Sequence, residues 1–210
     1  MAELRADFFD RVDEAPDEEF YNAPRLVQHI DAAAIAAVGA LYAELLPPDG
    51  DILDLQSSWV SHLPRTFSVR SLSGLGMNAE ELAANPRLTS WVVHNLNREP
   101  RLPYDDEAFD GCIDTVSVQY LQRPIEVFRE VNRVLRPGAP FVLTFSNRCF
   151  PTKAIAAWRA LGDAEHVQLV AVYFNQSGGW QEITARNCTP PADGYTDPVF
   201  AVYARKGAAS

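Results

Sequence analysis

Paired cysteines, long apolar runs and an excess of positive charge are all missing from this chain of 210 residues. Its three cysteines, Cys112, Cys149 and Cys188, are odd in number and widely spaced, with no Cys-x-x-Cys or Cys/His cluster. That argues against a disulfide frame or a zinc site and fits reduced thiols in a cytoplasmic protein. His29, His62, His94 and His166 show no paired metal-ligand spacing, so no metal is expected. No apolar run approaches the roughly 20 residues of a membrane span. The N-terminus is acidic where an export signal is basic and then apolar. Acids outnumber bases 28 to 18, giving a net charge of −10. Phosphate backbones and anionic bilayers repel such a surface, so neither nucleic acid nor membrane is expected as a partner.

What is present is a globular composition, 47% apolar and 22% charged, enough for one domain with a real core. The charge is uneven. Residues 1–19 hold eight acids and two bases, so −6 of the −10 lies there. We therefore divide the chain into an acidic leader or lid over 1–22 and an α/β domain over 23–210. A helix is expected from about residue 21 to Leu45, with Leu26, Ile30, Ala34, Ala37 and Leu41 on one face and Pro47-Pro48-Asp49-Gly50 as its stop. Strands are expected at 51–55, 68–75, 90–94, 111–118 and 140–145, with helices at 78–85, 124–136 and 152–161. Asn78 is the N-cap of the second helix. Residues 166–174 and 198–203, rich in Val, Tyr and Phe, are expected as two closing strands. Strand and helix alternate, which predicts a mainly parallel sheet whose ligands bind just beyond the strands' carboxyl ends.

Three partial motifs stand in order at Leu102-Pro103-Tyr104-Asp105-Asp106-Glu107-Ala108-Phe109-Asp110, Ser117-Val118-Gln119-Tyr120-Leu121 and Phe128 to Gly138. Through them the chain, over roughly residues 20 to 205, resembles the class I S-adenosylmethionine-dependent methyltransferases. The first motif is similar to that family's "LPF-x-x-x-x-FD" segment. Ser117-Val118-Gln119-Tyr120-Leu121 stands at its fourth-strand motif. Glu130 to Gly138, in Phe128-Arg129-Glu130-Val131-Asn132-Arg133-Val134-Leu135-Arg136-Pro137-Gly138, is close to "E-x-x-R-V-L-K-P-G-G". The resemblance implies a Rossmann-like fold, a seven-stranded sheet with helices on both faces, S-adenosylmethionine as cofactor and a small-molecule substrate.

The cofactor loops depart from the family. Asp54 keeps the acid that ends the first strand, but Gln56, Ser58 and Val60 replace the three glycines that follow. A β-branched Val60 disfavours a left-handed turn. The ribose-binding acid after the second strand falls on Gly76, beside Met77 and Asn78. The acid near the adenine falls on Asn95, followed by Leu96. Two readings stand. In one, the cofactor binds through altered contacts: Asn78 or the Gly76 loop replaces the acid, Ser57, Ser58 and Trp59 line the methionine end, Asn95 meets the adenine, and Ser117 is a further cofactor contact. In the other, the fold serves as a scaffold or binds another ligand. A nicotinamide site is disfavoured, because its glycine fingerprint is absent too.

Methyl transfer needs a base only when the nucleophile carries a proton. His62, shortly after the first strand, is the candidate base, or else a surface histidine beside Pro64. Tyr120 and Gln119 face the methyl acceptor or simply pack. Tyr21, Arg25 and His29 form a second group, the last two sharing a helix face four residues apart. Arg25 would grip a substrate carboxylate and His29 serve catalysis if the lid closes; otherwise the face is solvated. Asn147 and Arg148, with Lys153 behind them, follow the fifth strand and suit an anionic group. Gly178-Gly179-Trp180 suggests an aromatic flap, and Trp91 and Trp158 are assigned to the core.

Overall fold

The computed structural model describes residues 4–191 and 194–208. Seven strands form one sheet in the order β3-β2-β1-β4-β5-β7-β6. They are β1 (Asp51–Leu55), β2 (Ser71–Gly76), β3 (Ser90–Val93), β4 (Gly111–Thr115), β5 (Pro140–Phe145), β6 (Trp180–Asn187) and β7 (Phe200–Lys206). The first five are parallel; β7 runs antiparallel to both β5 and β6. Strand order reverses between β1 and β4, and a crevice opens beyond their carboxyl ends at that point.

Helices cover both faces. They are α1 (Asp17–Phe20), α2 (Ala32–Leu45), α3 (Ala79–Ala84), α4 (Pro124–Val134), α5 (Ala156–Ala160) and α6 (Asp163–Ser177). One apolar layer joins Val127, Phe128 and Val131 of α4 to Tyr173 and Phe174 of α6 and Phe141 of β5. The other packs Ala34, Val38, Leu41 and Tyr42 of α2 against Ile52, Leu72 and Ile113. Pro124 opens α4 where its missing N–H costs nothing, and Gly138, at φ +78°, makes the turn into β5.

Four expectations fail, each for a physical reason. The first long helix begins at Ala32, not near residue 21, because Asp31 caps it by accepting the Ala34 N–H at 2.8 Å. Residues 24–31 instead run as a strap, with Leu26 and Val27 facing outward at 55% and 53% exposure. Arg25 and His29 therefore share no helix face. Residues 166–174 are helical, not a strand. Their buried positions His166, Leu169, Val170, Tyr173 and Phe174 follow the 3.6 period, which overrides β-propensity. The closing hairpin partner is β6, which the sequence pattern did not reveal. Trp180 opens it and packs against Phe141 and Phe174, so there is no flap. Trp158 is buried, but Trp91 is 44% exposed on the edge strand β3.

The leader is not a solvated tail. A 3-10 turn at Ala6–Phe9 sets Phe8 and Phe9 against the core. The Asp13 N–H donates to Thr152 O at 2.9 Å, and Asp10 O accepts from the Ala156 N–H at 2.7 Å. Lys153, fully buried, donates from Nζ to Ala15 O at 2.7 Å and pairs with Asp13 at 3.3 Å and Asp17 at 3.4 Å. Asp17, 4% exposed, also pairs with Arg11 at 2.6 Å. Lys153 is thus a latch for the leader and is not free for an anionic ligand.

Candidate functional site

A cavity of about 270 Å³ lies beyond the carboxyl ends of β1 to β4 and β5. At its β1 corner the chain bends sharply without glycine: Gln56 takes φ +52°. Its amide group, oriented to satisfy its neighbours, donates to Asp114 Oδ2 at 3.0 Å and Ser117 O at 3.3 Å. Val60 does not adopt a left-handed conformation, as its branching predicts, but His62 does at φ +51°, and so does Val116 after β4 at φ +53°. Left-handed backbone costs a β-branched residue most. Three such residues lining one cavity concentrate backbone strain there.

Asp54, 3% exposed, accepts the hydroxyls of Ser57 at 2.7 Å and Ser61 at 2.6 Å. Asn85 of the segment after α3 donates to the same Ser61 Oγ at 2.9 Å. The acid of the family pattern is therefore a clamp on the loop 57–61. Burial pushes its carboxyl up to about 6, against the lowering pull of the two serines. Asp114, fully buried beside it, is raised well above the usual range by burial and by Asp54, and its Oδ1 has no partner among the described residues.

Gly76 is fixed by packing. A Cβ there would sit 2.1 Å from Ser57 O, so no side chain can follow β2 at this point. The acid appears one helical turn later. Asn78 caps α3, accepting the Glu80 and Glu81 N–H groups at 2.9 and 3.0 Å. Glu81 turns inward to the cavity wall, accepting the Ser58 hydroxyl at 2.6 Å and the Arg25 N–H at 2.7 Å. Sequence reasoning missed Glu81. Its signal was the Asn78-x-x-Glu81 spacing, which reads as a capping box.

The leader and strap form one wall of the cavity, through Asp17, Tyr21, Arg25, Val27 and His29. Asn78 Nδ2 donates to Tyr21 O at 2.8 Å and Asn22 O at 3.1 Å. Asn95 donates to Glu18 at 3.1 Å, and Asn97 to Asp17 at 2.9 Å. The strand-tip polar groups that sequence reasoning gave to a cofactor thus also hold the protein's own N-terminal segment.

Most of the expected residues meet in this one place. Asp54, Gln56, Ser57, Ser58, Trp59, Gly76, Met77, Asn78, Asn95, Leu96 and Ser117 line the cavity, and so do Tyr21, Arg25, His29, His62, Tyr120 and Arg148. Gln119 and Asn147 do not. Gln119 is fully buried, its amide donating to Val116 O at 2.7 Å, and Asn147 points to solvent. The Tyr120 hydroxyl accepts the Phe150 N–H at 2.8 Å. Arg148 pairs with Asp197 at 2.7 Å. Arg25 spends its guanidinium on Phe20 O at 2.7 Å and on the rings of Phe20, Tyr21 and Phe150, which leaves a carboxylate clamp unsupported. His62 is no surface residue: burial, with a smaller push from His29, lowers its imidazole to about 4. Its Nδ1 is buried without a partner among the described residues.

No group of three or more metal-ligating side chains occurs among the described residues, and no helix there is long and apolar enough to cross a membrane. Residues 67–143 match a methyltransferase domain family. The biotin biosynthesis bifunctional protein BioHC of Teredinibacter turnerae is 38% identical over 128 residues, which is 60% of this chain but only 20% of that protein. Among solved structures, a chain from the Haloferax volcanii complex between the Trm112 methyltransferase activator and a methyltransferase has TM-score 0.63 at 16% identity. The match covers 83% of this chain and 90% of that one. The (4+2)-cyclase SpnF has TM-score 0.62 at 17% identity over 90% and 91% of the two chains. The matched segment is similar to a methyltransferase domain, and the fold of the whole chain is similar to that of solved S-adenosylmethionine-dependent methyltransferases.

Proposed function

We propose that the protein binds S-adenosylmethionine in this cavity and transfers its methyl group to a small molecule. The observation that carries the reading is Glu81. The fold asks for a carboxylate beyond β2, Gly76 cannot supply one, and Glu81 brings one to the wall from the first turn of α3. A carboxylate oxygen accepts more than one hydrogen bond, so ribose hydroxyls can join Ser58 and Arg25 there. Asn95 and Leu96 border the adenine end, and Gln56 to Trp59 border the methionine end. The bound cofactor supplies an electrophilic methyl group. The chain's own residues hold it, exclude water through the leader and strap, and aim the acceptor. Small acceptors suit a cavity of about 270 Å³.

Calorimetry on the full chain tests this reading. It expects saturable heat for S-adenosylmethionine and S-adenosylhomocysteine, weakened by Glu81→Gln. No heat at millimolar ligand overturns it.

A second reading, a methyltransferase-like protein without methyl transfer, is supported by the bonds of Asn78 and Asn95 to the N-terminal segment. The likeness to SpnF, named as a cyclase, agrees with a fold that hosts other chemistry. That second reading expects no saturable S-adenosylmethionine heat and no loss of cellular activity in Glu81→Gln.

A further inference from the structure

We infer that Arg148 anchors a carboxylate of the methyl acceptor, so that the substrate is a small monocarboxylic acid with an apolar body; this rests on the methyl-transfer reading above. Arg148 follows β5 and lines the cavity, with its side chain 52% exposed. Its Nε donates to Asp197 Oδ1 at 2.7 Å, and among the described residues Nη1 and Nη2 donate to nothing. The guanidinium therefore keeps the end of its fork free. Two parallel N–H groups there match the two oxygens of a carboxylate.

The group that holds Arg148 is itself fixed. Asp197 is 3% exposed; its Oδ1 also accepts the Tyr195 hydroxyl at 3.0 Å, and its Oδ2 accepts the Asp31 N–H at 2.9 Å. Asp31 Oδ2 in turn accepts the Asp197 N–H at 2.7 Å and the Thr196 hydroxyl at 2.9 Å. Two carboxylates and two backbone N–H groups thus make a reciprocal clamp between the start of α2 and the segment before β7. The ring of Tyr195 lies 5.9 Å from the guanidinium carbon. An arginine steadied in this way loses little rotamer freedom when a ligand meets it.

The rest of the wall narrows the ligand. The other arginine of the cavity, Arg25, bonds to Ala23 O and Phe20 O and lies over aromatic rings. Burial lowers the imidazoles of His29 and His62, which keeps both neutral at pH 7. One guanidinium beside one acid balances a single negative charge better than the two of a phosphate. An ammonium group would meet the fork with like charge. In the same loop as Arg148, the Phe150 ring stacks on Tyr120 at 6.0 Å and meets Phe20 and His29 edge-on at 5.3 and 5.2 Å. An apolar body, a ring or a short alkyl chain, packs against that group.

The test is calorimetric binding to the full chain, with and without S-adenosylhomocysteine, using benzoate, benzamide, benzylamine and phenyl phosphate as probes. The expected result is benzoate binding at least about tenfold more tightly than the other three. Arg148→Gln, whose amide can still reach Asp197 but carries no charged fork, should erase the preference of benzoate over benzamide and leave S-adenosylhomocysteine affinity as in the wild type. Equal or tighter binding of any other probe overturns the inference, and so does a benzoate preference that survives in Arg148→Gln. A chain that binds S-adenosylhomocysteine but none of the four probes overturns it too. Absence of heat with S-adenosylhomocysteine alone overturns the methyl-transfer reading instead, and that arm is read separately.

Discussion

The β1–β3 end of the cavity is walled by strand tips, main chain and short polar side chains, whereas the end towards the β5 loop is walled by rings and imidazoles. At the first, Gly76 and Ser57 touch main chain to main chain, and Asn78 and Glu81 make fixed hydrogen bonds. At the second, Phe150 is the hub: His29 and Phe20 meet it edge-on, and Tyr120 stacks at 6.0 Å. The first end is specified by hydrogen-bond geometry and tolerates little change of shape. The second is specified by volume and ring placement, which repack more readily. The leader spans both, latched by Lys153 on the β5 side and by Asn78 and Asn95 on the other.

The largest way to break this comparison is to cut the latch that joins the two ends. Lys153→Met leaves buried Asp17 with Arg11 and the Asn97 amide and removes the ion pair of Asp13, and losing a buried ionic partner costs about 3–5 kcal/mol. Urea unfolding should show that loss, and proteolysis should cut first within residues 10–31. Gly76→Ala comes next. Its Cβ must displace the Ser57 main chain, an overpacking cost of about 1–3 kcal/mol, and affinity for S-adenosylhomocysteine should fall with it. The same calorimetric titration reads both.

Glu81→Gln keeps the shape and removes the charge. It should weaken S-adenosylmethionine about tenfold, roughly 1.4 kcal/mol, with little change in melting temperature.

The most gradual effect is one of pH. Asp54 is raised in the folded chain to about 6, so the stability contributed by its protonated form is present at pH 4 and lost as pH rises through 6. Asp114 acts with the same sign. His62, lowered to about 4, acts oppositely and adds stability as pH rises. Asp54→Asn should therefore gain on the wild type between pH 4 and pH 6, by about 1 kcal/mol per unit. Parallel stability curves for the two proteins would contradict the burial of that charge.

The strands and α4 were legible because their patterns are local. Val127, Phe128, Val131 and Val134 repeat at the helical period, and the Pro137-Gly138 turn needs a left-handed residue. The strap at 24–31 was not legible: its helical spacing of apolar residues is real, but Asp31 caps the later start and Glu81 draws the Arg25 backbone away. At the site, sequence position found the loops but not every hydrogen-bond partner. Asp54, expected at the cofactor, lines the cavity and also clamps the loop 57–61; Glu81, which the sequence patterns did not single out, lines the cavity as well. Those outcomes depend on which long-range partner each carboxylate meets, and one-dimensional spacing does not contain that.

The most direct test of the account is titration of the purified full chain with S-adenosylmethionine in the calorimeter. The account predicts a single saturable site that Glu81→Gln weakens about tenfold and Asn147→Ala, outside the cavity, leaves unchanged. Heat that fails to appear at millimolar ligand, or a Glu81→Gln titration that superimposes on the wild type, would contradict it.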